Sequence, residues 1–408
     1  LMCACVSIPS AGGYDKLQVQ KLPVAGHTVG ANVRMRGIED EDCVEVAIHA
    51  AGVNYADVCV RWGLYESARK FVGWPITPGF EFSGTVVRAG SNAAAQFRKG
   101  DRVFGVSLFG AYSTQVLVPR WQLFHLPEGV GMDAAAGFPA VFLTAYYGMF
   151  MLAKPRKGES CLIHSAAGGV GTALVQLARI AGCSTIVGVV GNSSKVASAQ
   201  AAGCTHVIDK SSADLWASAR RISPSGFDIV FDANGVATLG RSYDSLAPAG
   251  RLVVYGFHSM LPRRGGVLGI REWIKLAIDY LRTPRFNPLA MTSTNRSVLA
   301  FNLSFLFDKT EVLQEAMAAL VNWLREGKLR PCPTTRFRLA DVASAHASLE
   351  SGLTVGKLVL VTPSGESAGL HADARSCALG TPRSSRRLQW AGLAVVVLSF
   401  AIAAWKFA

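Results

Sequence analysis

The chain has 408 residues, half of them hydrophobic and 17% charged, with 41 glycines against 17 prolines. Apolar surface on that scale offsets the entropy of ordering, which excludes a disordered or collagen-like chain, and the length suggests two or three folding units. The formal charge of +13 favours anionic partners, such as a phosphorylated cofactor or an acidic lipid surface. Nucleic acid is excluded as a partner, because the basic residues are dispersed and form no basic–aromatic run or recognition helix. Nine cysteines without a C-x-x-C pair argue against a disulfide framework or a clustered zinc site, and fit a reducing compartment.

Residues 1–130 read as short β-segments between Gly, Pro and Asn, including 43–50, 82–89, 102–106 and 112–118. From Met132 to Leu152 the pattern turns helical, with Asp133 as N-cap. From Glu159 it alternates strand and helix, with strands at 160–164, 185–190, 206–208, 228–232 and 251–255. Helices between them at 170–181, 194–202, 214–222 and 240–246 imply a parallel sheet covered on both faces. Residues 260–310 interrupt that rhythm. A helix at 311–327, a strand near 335–337, a helix at 339–351 and a strand at 357–361 close the globular part.

The stretch Cys161–Gly171 (CLIHSAAGGVG) joins a strand to a helix. A dinucleotide needs backbone close to its pyrophosphate and helix N–H groups aimed at the charge. Ala167, Gly168, Gly169, Val170 and Gly171 supply that loop, and its place between strand and helix makes the motif specific. The next strand ends Val189-Val190-Gly191-Asn192-Ser193-Ser194-Lys195, without the acid that usually holds a ribose 2′-hydroxyl. Lys195, helped by Ser193 and Lys210, would instead receive a 2′-phosphate, so the expected cofactor is NADPH. Asn234, Gly235, Tyr255, Gly256 and Phe257 lie at later strand ends, where such a fold opens its ligand crevice.

The segments Ala51–Asp57 (AGVNYAD), Arg61–Tyr65, Pro78–Gly84 (PGFEFSG), Lys99–Val103, the AAGGVG loop and Val355–Leu360 resemble the zeta-crystallin-type quinone oxidoreductases of the medium-chain dehydrogenase/reductase superfamily. The segment Ile222–Val230 and the basic insertion after His258 are most similar to its VAT-1 homolog group. The resemblance spans about residues 10–363. It implies an α/β chain with a GroES-like β-rich catalytic domain (1–145, completed by 286–363) around a Rossmann doubly wound parallel-sheet domain (146–285, with the basic insertion from about 259). A homodimer through the edge of the Rossmann sheet is the implied assembly.

In zinc-dependent relatives Cys, His and Cys hold the metal; the matching positions here are Asn54, Phe80 and Ala140, which offer neither thiolate nor imidazole. No metal is therefore expected, and chemistry must come from hydride placement plus a hydrogen-bond donor. By resemblance Asn54 and Thr144 fix the nicotinamide end, and Tyr55, Asp57, Cys59 and Tyr65 lie on the substrate side. Tyr55 is the expected donor. Lys357 matches a lysine that reaches the cofactor. The implied activity is NADPH-dependent reduction of quinones or related α,β-unsaturated carbonyls; the alternative is a VAT-1-like membrane-dynamics or lipid-handling protein that binds NADPH with little turnover.

After Pro363 a polar linker (364–387) leads to the apolar stretch 388–408. As a helix its 21 residues would extend about 31 Å, and Trp390 and Trp405 would sit at the two interfaces. A C-terminal transmembrane helix is thus expected, tail-anchoring the enzyme with its face to the cytosol, first in the mitochondrial outer membrane and next in the endoplasmic reticulum. Within the insertion, Ile270, Trp273, Ile274, Ala277, Ile278 and Leu281 form one helical stripe beside Arg263, Arg264, Arg271, Lys275, Arg282 and Arg285. Packing on the Rossmann domain is favoured for it, over lying on anionic lipid or covering the cleft.

Overall fold

Strands whose interior positions are apolar on both faces must be covered on both. The runs SCLI, TIVGVV and FDIVFD are of this kind, and in the computed structural model, which describes residues 2–23, 37–261 and 269–368, they lie at the centre of a parallel sheet. Its strands are β8 (Ser160–Ile163), β9 (Thr185–Val190), β10 (His206–Asp209), β11 (Phe227–Asp232), β12 (Leu246–Val254) and β13 (Ser297–Ala300), in the order β10-β9-β8-β11-β12-β13. Period-2 alternation splits each strand: Cys161 and Ile163 face the main core, whereas Leu162 faces a second cluster with Val187, Val230 and Leu252. Counted along the chain this order is 3-2-1-4-5-6, so direction reverses between β8 and β11 and a crevice opens there. β13 lies inside the stretch read as an interruption; it extends the sheet by pairing with β12.

The remaining strands form a largely antiparallel sheet. Its backbone is β3 (Cys43–Val53), flanked by β4 (Glu81–Ala89), β5 (Arg102–Val106), β6 (Gln115–Pro119) and β7 (Leu123–His125). After the parallel sheet the chain returns as β14 (Thr334–Arg338) and β15 (Lys357–Val361), and β15 pairs with the far end of β3, Leu358 opposite Val53. That return closes the second half and sets Lys357 beside the first helix. A separate two-stranded ribbon, Met2–Ser7 with Gln18–Pro23, completes the β content of the described residues.

The single helix expected over 132–152 is divided. Met132–Ala136 stops at Gly137, and Pro139, which has no N–H to lose, opens a new helix to Tyr146 that continues as a π-helical turn to Ala153. Helix Tyr55–Arg61 was not read from the pattern at all. Its start is a capping box: Asn54 caps it and the Asn54 N–H donates to Asp57 Oδ2 at 2.8 Å.

The expected C-terminal transmembrane helix is corrected. No helix among the described residues is long and apolar enough to cross a membrane, and 388–408 lies outside them. The tail-anchored location, mitochondrial or reticular, rested on that segment and is withdrawn with it. Apolar composition over 21 residues states a preference for a dry environment, and does not say which one. The insertion helix does form, over Ile270–Arg282, yet none of its residues is buried; Ile270 and Leu281 are 71% and 72% exposed. The favoured packing of its stripe on the Rossmann domain is therefore wrong, while Arg263 and Arg264 lie outside the described residues.

Arg61, at the end of helix Tyr55–Arg61, is wholly buried. Its guanidinium meets Glu350 Oε1 at 2.7 Å, lies 4.5 Å from the Tyr14 ring centre and contacts His346 Nδ1 at 3.2 Å. Because Arg can only donate, His346 accepts at Nδ1 and carries its proton on Nε2, which faces Tyr112 Oη at 3.5 Å. Tyr112 in turn donates to Asp57 Oδ2 at 3.0 Å. Burial, reinforced by Arg61, pushes the His346 pKa down to about 3. The unfolded chain then binds a proton between pH 6.5 and 3 that the native state refuses, so stability from this group is full above pH 6.5 and falls with pH. We expect His346→Asn to flatten the loss between pH 6.5 and 4 by up to about 3 kcal/mol in denaturant titrations. Arg61→Met should cost about 3–5 kcal/mol, because it leaves Glu350 as an unpaired buried charge; Arg61→Met with Glu350→Gln should recover part of that.

Candidate active site

The crevice left by the β8/β11 reversal is lined by the glycine loop on one strand end and by Asn234–Gly235 on the other. The loop turns through Ser165, held at φ 56°, and helix Gly169–Ile180 begins with Gly168 as its cap. Gly171 is required by the turn: a Cβ there would lie 2.2 Å from the Ser165 carbonyl oxygen. Gly168 is more open, its hypothetical Cβ meeting only that oxygen, at 3.3 Å, so the helix N-terminus can be approached by an anion. On the β11 side, buried Asp232 organises the loop by accepting from the Asn234 and Gly235 N–H groups at 2.7 and 3.1 Å. Its other oxygen takes Thr238 and Ser242, both at 2.7 Å, and Ser242 contacts His164 Nε2 at 3.0 Å. Sequence reasoning missed Asp232 because a buried carboxylate at a strand end has no local pattern.

Lys195 and Lys210 are close enough that the charge of Lys210, after burial, helps lower the Lys195 pKa. Lys195 Nζ donates to the Gly352 carbonyl at 2.6 Å, which ties the Rossmann half to the catalytic half. Ser193 is placed differently from expectation. Its hydroxyl donates to Asp209 Oδ2 at 2.6 Å, and Ser211 donates to Oδ1 through both N–H and hydroxyl. Those bonds hold the Asp209 pKa down to about 2, so an anion does stand near the lysines, on β10 rather than on β9. The glycine loop, the helix N-terminus and two lysines fit NADPH, with Asp209 as the opposing charge.

Across the crevice Asn54, Glu81 and Lys357 meet. Lys357 Nζ lies 2.6 Å from Glu81 Oε1 and donates to Asn54 Oδ1 at 2.7 Å and to the Val53 carbonyl at 2.9 Å. Asn54 Nδ2 donates to Glu81 Oε1 at 2.9 Å, and Glu81 Oε2 accepts the Ala140 N–H at 2.8 Å. Glu81 is fully buried and Lys357 only 4% exposed. Zinc does not fit here. An ammonium already neutralises Glu81 and saturates the Asn54 oxygen, and Phe80 and Ala140 contribute no donor side chain. Lys357, expected at the cofactor, thus points its charge into the catalytic half.

Asp57 is fully enclosed and accepts from the Asn54 N–H, the Gly79 N–H and Tyr112. Burial outweighs these three bonds and pushes its pKa up to about 7. Its contacts are with backbone and Tyr112, which positions the first turn of helix Tyr55–Arg61. Tyr55 stands in that turn, its ring edge-on to His258 at 4.5 Å and to Trp62 at 6.4 Å. His258, from the Rossmann half, is pushed by burial to a pKa of about 4 and is neutral at pH 7. Tyr65 donates to Asn302 Oδ1 at 3.1 Å and packs edge-on to Phe80 and Phe109; burial pushes its pKa up to about 12. Cys59 is half-buried, and burial likewise pushes its thiol up to about 12, which favours the protonated thiol at pH 7. Thr144 turns back to the Ala140 carbonyl at 2.7 Å. Gly235, at φ 84°, packs under exposed Phe257, and Tyr255 stacks on Phe301.

A GroES-like half and a Rossmann half meeting at a crevice with a phosphate loop define an NADPH-binding oxidoreductase. Two family models match the chain, an alcohol dehydrogenase GroES-like domain over residues 40–128 and a zinc-binding dehydrogenase over residues 202–360. The human synaptic vesicle membrane protein VAT-1 homolog is 31% identical over 359 residues, covering 88% of this chain and 86% of that protein. The crystal structure of the human VAT-1 homolog-like protein superposes with a TM-score of 0.70 at 25% identity, over 89% of this chain and 99% of that one. Escherichia coli quinone oxidoreductase complexed with NADPH gives 0.71 at 26% identity, over 88% and 99%. The chain belongs to the medium-chain dehydrogenase/reductase superfamily, in its zinc-free, quinone oxidoreductase-like branch.

Lys195→Met should weaken NADPH binding about 10- to 100-fold by loss of a charge-assisted contact, and leave NADH binding unchanged in fluorescence titrations. Asp209→Asn should tighten NADPH binding about 3- to 10-fold by removing the opposing charge.

Proposed function

We propose that the chain is an NADPH-dependent reductase of quinones and related α,β-unsaturated carbonyls. One observation carries this reading: the Lys357–Glu81–Asn54 cluster is joined to the phosphate loop through the Gly356 N–H on the Ala167 carbonyl, and Asn54 opens the helix that begins with Tyr55. Gly168 and the helix N-terminus behind it, with Lys195 and Lys210, would hold the cofactor, and bound NADPH would supply the hydride. Neutral His258 packs against the Tyr55 ring and adds no charge beside it, and the Tyr55 hydroxyl would donate to the acceptor oxygen as negative charge develops. Tyr65 already spends its proton on Asn302, which leaves Tyr55 as the donor in this reading.

The full chain should oxidise NADPH, followed at 340 nm, faster when 1,4-naphthoquinone or a simple enone is added; no stimulation by any of several acceptors would reject the proposal. Tyr55→Phe should lower kcat about 100-fold with NADPH affinity unchanged.

A second reading, lipid handling with little turnover, is favoured by the exposed apolar stripe of helix Ile270–Arg282, flanked by Arg271 and Arg282. Binding of the full chain to phosphatidylserine vesicles that disappears on Arg271→Gln with Arg282→Gln would support it; unchanged binding would remove it.

A further inference from the structure

Lys357 spans the space between the cofactor loop and the catalytic floor, and each part of its side chain has a separate contact. The stem runs past two glycines. A Cβ built on Gly169 would lie 3.1 Å from Lys357 Cδ and 3.0 Å from Val141 Cγ1, and one on Gly137 would lie 3.1 Å from Lys357 Cβ. The backbone beside the stem is joined to the loop: the Gly356 N–H donates to the Ala167 carbonyl at 3.0 Å, and Gly168 and Gly356 form a parallel bridge. Cys332, in the segment entering β14, reaches the Gly169 carbonyl at 3.7 Å. At the far end the ammonium holds Asn54 Oδ1 and Glu81, and Glu81 holds Asn54 Nδ2.

The chemistry of these partners leaves the Asn54 amide one orientation. An ammonium only donates, so it must face the oxygen; a carboxylate only accepts, so it must face the nitrogen. Reversing the amide would set donor against donor and acceptor against acceptor in a buried site. The second Nδ2–H of half-buried Asn54 is then directed by Lys357 and Glu81 together. Gly169, which in a bare phosphate loop would be read as room for the pyrophosphate, is here occupied on its Cβ side by the lysine stem and Val141.

We propose that Lys357 is a positioning residue that couples the cofactor loop to the Asn54 amide, so that loop geometry at Gly169 sets the orientation of a polar group in the catalytic half. The proposal deepens the reductase reading and rests on it for its kinetic readout. Gly169→Ala is the direct probe: it leaves every charge in place and displaces only the stem and Val141. It should lower kcat for 1,4-naphthoquinone about 10-fold or more, because small misplacements of a positioning group are costly, while the NADPH dissociation constant stays within about threefold.

In a Lys357→Ala, Glu81→Gln background, which has no stem and no unpaired charge, Gly169→Ala should have no further effect on kcat. A loss of NADPH affinity greater than tenfold, or an equal loss of kcat in both backgrounds, overturns the proposal, since Gly169 would then serve the dinucleotide or the fold. A second variant, Lys357→Met with Glu81→Gln, keeps the stem but removes the ammonium and the carboxylate that fix the amide, since a glutamine can face Asn54 either way. It should lower kcat similarly at unchanged NADPH affinity, and unchanged kcat overturns the proposal. In full chain labelled with 15N-asparagine, the Asn54 side-chain amide resonance, assigned through Asn54→Asp, should shift on adding NADPH to wild type and not to Gly169→Ala. That shift in a protein that reduces no acceptor would sink the reductase reading and keep the coupling; no shift in a protein that does reduce quinone would sink the coupling alone.

Discussion

A buried ion pair between Lys357 and Glu81 is the interaction around which the two halves of this protein are arranged. Neither group can be left alone in a dry interior, because an unpaired buried charge costs several kcal/mol. Each is therefore surrounded by matched partners: the Val53 carbonyl and Asn54 oxygen on the ammonium, the Asn54 nitrogen and the Ala140 N–H on the carboxylate. The pair is charge-balanced and its polar atoms are already engaged, so it offers no open coordination position.

The elements holding this pair come from distant parts of the chain. Asn54 precedes a short helix, Glu81 starts β4, Ala140 lies in the helix after Pro139, and Lys357 starts β15 after the whole parallel sheet has been built. Asp57 repeats the strategy one turn further along its helix. Its carboxylate binds two backbone N–H groups and Tyr112, and through Tyr112 and His346 it reaches Arg61 and Glu350. Helix Tyr55–Arg61 is thus anchored at both ends by buried polar groups, which is why the tyrosine it presents to the crevice can be held in place.

On the cofactor side, charge is balanced in a different way. Lys195 and Lys210 repel each other, and the serines around Asp209, at the end of the neighbouring strand, keep it ionised. Preference for a phosphorylated ribose then depends on the difference between two nearby signs, and not simply on the lack of an acid after β9. The exposed stripe of helix Ile270–Arg282 shows a related limit of pattern reading. Periodicity established that the helix is amphipathic, yet an amphipathic stripe carries no information on whether the chain itself covers it.

Strand and helix periods, the strand–glycine–helix junction and the lack of metal ligands at 54, 80 and 140 are local or pairwise features, and for that reason the two-part architecture and the class of cofactor were legible in the amino-acid order alone. Capping also was legible in principle: Asn54 followed by Asp57 marks a helix start that the β-rich surroundings concealed. Partner choice among buried charges depends on which strands become neighbours. The pairing of β15 with β3 brings the Lys357 ammonium to Glu81, and the approach of β10 to the end of β9 gives Ser193 to Asp209. The hydrophobic character of a segment, at 270–282 as at 388–408, is fixed by its residues, whereas the surface that receives it is decided only by tertiary contacts, since apolar burial has no direction of its own.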